Sequence, residues 1–194
     1  MKIDIKKLVF VALAVAINIV GSKLALFLSL PIFLDSIGTM LAGIALGPVA
    51  GGLTALVGGL VNGVLGDIYS IYFSPSGIIM GVLAGLLFYN KKKDIVSVLW
   101  KCLIVILPAS AVSACIETFL FGGITSAVAT TFIIQALAQT GLKLLSRAFL
   151  VQAVTDYIDK LIAILLVVAA MKHLPYSLTH FDTHEKKSKE KVAA

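Results

Sequence analysis

Charge is scarce in this chain. Asp, Glu, Lys and Arg make up 13% of its 194 residues, against about 25% in an ordinary soluble domain. Histidine is nearly absent. The three present, His173, His180 and His184, stand in or beside the C-terminal tail, with no cluster of cysteines or carboxylates around them. That argues against a metal site, and no metal or cofactor is expected. No histidine falls in an apolar stretch, so a serine nucleophile buried there would have no imidazole base. Cysteine is limited to Cys102 and Cys115. Both fall in one expected helix, about 20 Å apart at 1.5 Å per residue, beyond the reach of a disulfide. They read as apolar fillers. No face interleaves aromatic and basic residues, so nucleic acid is not an expected partner.

What remains is apolar: 59% of the residues are hydrophobic, with a mean hydropathy of +1.04. A soluble domain with that surface would aggregate. A lipid-facing surface requires it. The expected fold class is therefore an all-α polytopic membrane protein.

The lysines set its orientation. They cluster at Lys2, Lys6 and Lys7, at Lys91, Lys92 and Lys93, and at Lys172, Lys186, Lys187, Lys189 and Lys191. Short basic loops stay cytoplasmic, so the start, the middle and the end are all expected inside, with an even number of crossings between each pair. The first span runs from Leu8 to about Leu28. Residues 1–25 could pass for a cleaved signal peptide, but Lys23 interrupts the small residues at Gly21–Ala25, so an uncleaved span is expected.

Pro31 and Asp35 mark an outer loop. The second span runs from Ser36 to Gly47-Pro48, the third from Val49 to Gly66. One long helix over 36–66 would place Lys91–Lys93 outside, so parity favours the split. Asp67–Pro75, rich in turn-forming residues, is expected as an outer loop, and Ser76–Asn90 as the fourth span. Spans two to four are short and must tilt or be shielded. The fifth runs from Ile95 to about Phe119 with a kink at Pro108, and Gly122-Gly123 ends it. Residues 124–145 would make a seventh crossing and turn the tail outside. They are expected to be a helical cap or re-entrant piece. Ala148–Met171 is the sixth span. Six transmembrane helices follow, with both termini cytoplasmic. Residues 1–172 are expected to form one domain, and 173–194 a basic, disordered tail. The location is the cell membrane, multi-pass, of prokaryotic plasma-membrane type.

Polar residues at membrane depth gather in the outer half of this map: Asn62, Glu117, Gln152, Asp156, Asp159 and Lys160. Such groups turn from lipid toward partners or water. Asp156 and Lys160, four apart, share a helix face. With Arg147, Gln135 and Gln139 they can line a cavity open to the exterior, or they can form a salt-bridge network that only holds helices together. Tyr69, Tyr72 and Phe73 can cover such a cavity or form an interfacial belt. Asp67 and Tyr72 join Asn62, Glu117, Gln135, Gln139, Arg147, Gln152, Asp156 and Lys160 as the candidate ligand-binding set. Glycines at 77, 81 and 85, and at 59 and 63, repeat every four and suit helix packing within the chain. Ala12 and Ala16 make the same kind of flat face on the first span, near its inner end.

These features together resemble a substrate-binding S component of an energy-coupling factor (ECF) transporter, over residues 1 to about 172. The resemblance rests on size, on six short spans, on Ala12-Leu13-Ala14-Val15-Ala16, and on Leu30–Thr39 followed by Leu46-Gly47-Pro48. It implies a receptor with no catalysis of its own. A small-molecule micronutrient binds outside, the protein topples in the bilayer, Ala12 and Ala16 meet the transmembrane T component, and two cytoplasmic ATPases drive release. The pocket candidates suit a polar, roughly neutral ligand with a flat ring, nucleoside-like or a small water-soluble vitamin. Pantothenate would place its carboxylate on Arg147 or Lys160. Two rivals are a freestanding transporter or channel, which would want internal repeats, and an intramembrane aspartyl enzyme pairing Asp67 with Asp156. A purely structural scaffold is the third, and leaves the buried polar groups unexplained.

Overall fold

The computed structural model describes residues 5–28, 30, 33–91 and 94–173. The expected disordered tail with His180 and His184, together with Lys2, Pro31, Lys92 and Lys93, lies outside them. Among the described residues the fold is all helical: α1 Ile5–Phe27, α2 Ile37–Leu46, α3 Pro48–Val64, α4 Ile68–Phe88, α5 Ile95–Phe121, α6 Val128–Ala136 and α7 Leu144–His173, with a 3-10 turn at Leu137–Thr140.

Three helices, α1, α4 and α5, are long and apolar enough to cross a membrane. Their outward side chains are apolar, as Leu13, Val20 and Leu24 are on α1 and Ile104, Leu107 and Phe119 on α5. That surface suits lipid and not water. α7, at 30 residues, is longer still but carries Asp156, Asp159 and Lys160 in its middle. α2 has ten residues, about 15 Å at 1.5 Å each, half of a hydrocarbon core of about 30 Å. Its neighbours cover it, and Thr39, Met40, Ala42 and Ile44 are nearly inaccessible.

The breaks follow from the residues. Gly47 adopts φ 99°, which closes α2 and lets Pro48 open α3, where a missing N–H costs nothing. The expected division of 36–66 into two segments is thus observed. Gly122 and Gly123, at φ 60° and 86°, end α5. Residues 124–145 hold α6, of nine residues, the short turn after it and the first two residues of α7, and none of these pieces is long enough to cross.

One expectation fails. Asp67–Pro75 is not a loop: α4 starts at Ile68 and runs through Pro75 for 21 residues. Proline inside a helix costs about 3 kcal/mol or more, and tight packing against α3 offsets it. A Cβ on Gly63 would come within 2.2 Å of Ile71, and one on Gly59 within 2.1 Å of the Ser74 hydroxyl, so these glycines let α4 lie flush on α3. Further along, Gly81 meets the Gly51 backbone so closely that a Cβ would sit 2.5 Å from it. Tertiary contact has overridden local turn preference, and the glycine repeats pack within the chain.

The dry core lies at the Phe88 end of α4. Met40, Ile44, Met80, Ala84, Phe88, Val98, Cys102, Ile106, Ile164 and Val167 form one cluster drawn from α2, α4, α5 and α7. Lys101 lies over the Phe88 ring at 5.3 Å. A second, small cluster joins Ala114, Ile134, Ala148 and Val151 and ties α6 to α5 and α7.

Candidate functional site

At the opposite end of α4 the same helices turn polar and enclose a cavity of about 100 Å³. One water needs roughly 10–15 Å³ on this measure, so the space exceeds a packing defect. α1 contributes Asn18 and Ser22, α3 Asn62, α4 Tyr69, Phe73 and Ser76, α5 Ser113, and α7 Gln152, Asp156 and Lys160. Two loops add Asp35 and Asp67.

Lys160 is the hub. It is 4% exposed, and its ammonium is held by Asp159, by Asp35 at 3.6 Å and by Asp156 at 3.7 Å. The Asp156–Lys160 contact is the one expected from their spacing of four. Ser110 donates to Asp156 Oδ2 at 2.6 Å, which fixes that carboxylate from α5. Asp159 Oδ1 accepts from the Leu34 backbone N–H at 3.3 Å. Leu34 has φ 51°, a left-handed conformation that costs a bulky residue about 1–3 kcal/mol. Its carbonyl rests where a Cβ on Gly21 would be, at 2.1 Å. Gly21 and Asp159 together hold the loop that brings Asp35 to the lysine.

The α1 wall is built from amides. Asn18 Oδ1 accepts from the N–H groups of Gly38 at 2.7 Å and Thr39 at 3.3 Å, while its Nδ2 donates to the Thr39 hydroxyl at 2.8 Å. Asn62 Nδ2 donates to Ser22 Oγ at 2.7 Å, but Asn62 Oδ1 has no partner. Asp67 Oδ2 accepts from the Ser70 hydroxyl at 2.7 Å, and its Oδ1 has none. On α5 and α4, Ser113 donates to Ser76, which donates to the Ala109 carbonyl, each at 2.8 Å.

Of the side chains expected to bind a ligand, Asn62, Asp67, Gln152, Asp156 and Lys160 stand on the cavity wall. Glu117 lies behind Gln152, fully buried, with Gln152 Nε2 donating to Oε2 at 3.3 Å and Oε1 without a partner. Tyr72 is 46% exposed and meets Phe121 edge-on at 5.3 Å. Its neighbours Tyr69 and Phe73 face the cavity instead, both also against Phe121. In a helix, residues 69 and 73 share a face that 72 leaves only partly. Gln135 and Gln139 are exposed, on α6 and the turn after it, and are not among the residues of the wall. Arg147 is half-buried and donates to the Ile134 carbonyl at 3.3 Å, which ties α7 to α6.

Asn18, Ser22, Asp35, Ser76 and Ser113 were not singled out by sequence. Asn18 and Ser22 had a usable signal, two polar residues four apart on an apolar helix. Asp35 had none: it reaches Lys160 only through the tertiary fold. Ala12 and Ala16 are exposed on the outer face of α1.

A family model described as ECF transporter, substrate-specific component, matches residues 6–172. No curated protein and no solved structure matches the chain.

Proposed function

The chain belongs to the family of ECF transporter substrate-specific components, and from that premise we propose that it is the high-affinity receptor for a small water-soluble micronutrient. The observation that carries this reading is the polar cavity of about 100 Å³ at one end of an otherwise apolar bundle. Buried hydrophilic groups around an open space cost free energy unless something meets them. Asn62, Asp67, Gln152 and Asp156 contact the ligand, with Lys160 holding Asp156 and Glu117 positioning Gln152. Tyr69 and Phe73 supply the flat faces on which a ring stacks.

The chain crosses the cell membrane six times, α2 completing its passage with the loop that leads into it. Both termini are cytoplasmic. Support comes from charge: Lys91 follows the Phe88 end of α4, opposite the cavity, and basic loops stay inside. The cavity therefore opens outward. The exposed Ala12–Ala16 face of α1 docks on the T component, and two ATPases supply the energy for release. The protein itself catalyses no reaction.

Purified in detergent, the protein should retain a stoichiometric small molecule, identified by mass spectrometry, or bind one at nanomolar levels without ATP. Uptake into vesicles should require the T component and the ATPases. Full-rate uptake by this chain alone would overturn the receptor reading in favour of a freestanding transporter. Replacing Ala12 or Ala16 with Trp should abolish uptake and leave binding intact. Lost binding would remove α1 as the docking face.

A further inference from the structure

We propose that the ligand is an organic cation: a flat ring bearing a protonated or permanently charged nitrogen. This rests on the receptor reading above and names the chemistry of the same cavity.

The formal charges on the wall do not balance. Asp35, Asp67 and Asp156 line the cavity, and Lys160 is the sole base that does so among the described residues. A fourth carboxylate, Asp159, touches that lysine. An ammonium has three N–H donors, and Lys160 already faces three carboxylates. Its single positive charge is already outnumbered by the carboxylates around it, which leaves little attraction for an anionic ligand. Arg147, which would have restored balance, is absent from the wall and bonds a carbonyl instead. The roughly neutral ligand expected from the sequence assumed that Arg147 shared the cavity.

The unmet groups point the same way. Asn62 is 4% exposed and spends its N–H donor on Ser22, so what it lacks is a donor to Oδ1. Asp67 Oδ1 lacks one too. Both are acceptors, and both stand on the part of the wall built by the end of α3 and the start of α4, away from Lys160 in sequence and element. The nearby walls are the rings of Tyr69 and Phe73, whose faces attract cations. Surplus carboxylate in surroundings of low dielectric is costly. A cation with N–H groups, seated on the rings, offsets that cost and fills the empty acceptors at once. A metal ion is a poorer fit, because an ammonium already occupies the centre of the carboxylate set and no group of three metal-ligating side chains forms among the described residues.

Benzamidinium, benzamide and benzoate share one ring and one outline and differ in charge. Added at millimolar concentration to ligand-depleted protein in nanodiscs, benzamidinium should raise Tm and slow re-binding of the copurified molecule. Benzamide should do so weakly and benzoate not at all. Asp67→Asn, which keeps the side-chain shape, should weaken benzamidinium binding about tenfold or more, as expected for loss of a charge-assisted hydrogen bond, and leave benzamide unchanged. Equal responses to all three probes, or a stronger response to benzoate, would overturn the proposal. So would a copurified molecule that is neutral or anionic at pH 7, and that result would leave the receptor reading standing. Absence of any nanomolar ligand together with unaided uptake would strike the receptor reading instead.

Discussion

The two ends of the bundle are made by the same helices. α4 runs from Tyr69, Phe73 and Ser76 on the cavity wall to Met80, Ala84 and Phe88 in the dry core. α7 changes between Lys160 and Ala163, and Met80 on α4 with Ile106 and Ala109 on α5 belong to both, forming the apolar floor of the cavity. Below it, shape complementarity holds the helices together. Above it, hydrogen bonds and one lysine do, around a space that packing leaves open. Rigidity and receptivity are thus divided along each helix rather than between domains. A binding site placed on stiff elements keeps its geometry without the ligand.

Removing the hub tests that division most severely. Lys160→Met leaves Asp35, Asp156 and Asp159 facing one another. Taking away one partner of a buried ion cluster costs about 3–5 kcal/mol, so thermal unfolding in detergent should fall sharply and ligand binding should vanish. Retained binding would show that the polar half does not need its lysine. Phe88→Ala attacks the dry half. Phe88 is fully buried, and such truncations cost about 3–5 kcal/mol through transfer and cavity terms. Here the Tm should drop while the affinity measured below it changes little, because Phe88 itself does not line the cavity. A parallel loss of affinity would mean that the two halves are not separable.

Smaller effects sharpen the boundary. Gly21→Ala places a methyl against the Leu34 carbonyl and should dislodge the Asp35 loop. Affinity should fall more than stability, read by isothermal titration and Tm on one sample. Ser110→Ala removes the hydroxyl that holds Asp156 at 2.6 Å. Loss of a hydrogen bond to a charged group costs about 1.5–3 kcal/mol of stability, so the Tm should fall by several degrees together with a modest drop in affinity. An unchanged affinity would place Asp156 outside the ligand's reach.

The sequence made the punctuation of the fold legible. Gly47-Pro48 and Gly122-Gly123 are breaks that backbone chemistry imposes, and both stand where expected. The apolar stretch after Gly123 holds only a short helix and turn, Val128–Thr140, in place of a long one. Asp67–Pro75 deceived because its residues favour turns. The glycine face of α3 that straightens them into a helix lies in a different segment. Asp156 and Lys160 were legible through their spacing of four. Asp35 was not, because its approach to them depends on a loop whose anchor, Leu34 to Asp159, spans 125 positions. Gln135 and Gln139 show the reverse: polarity in an apolar stretch marks a departure from lipid, and a short surface helix satisfies that as well as a cavity does.

Leu34 is clasped between Gly21 of the first helix and Asp159 of the last. During synthesis α1 and its loop emerge early, but their second anchor arrives with the final helix. The polar chamber is accordingly a late product of assembly: a chain stopped before α7 contains most of its walls and only one of the two anchors of the Leu34 loop.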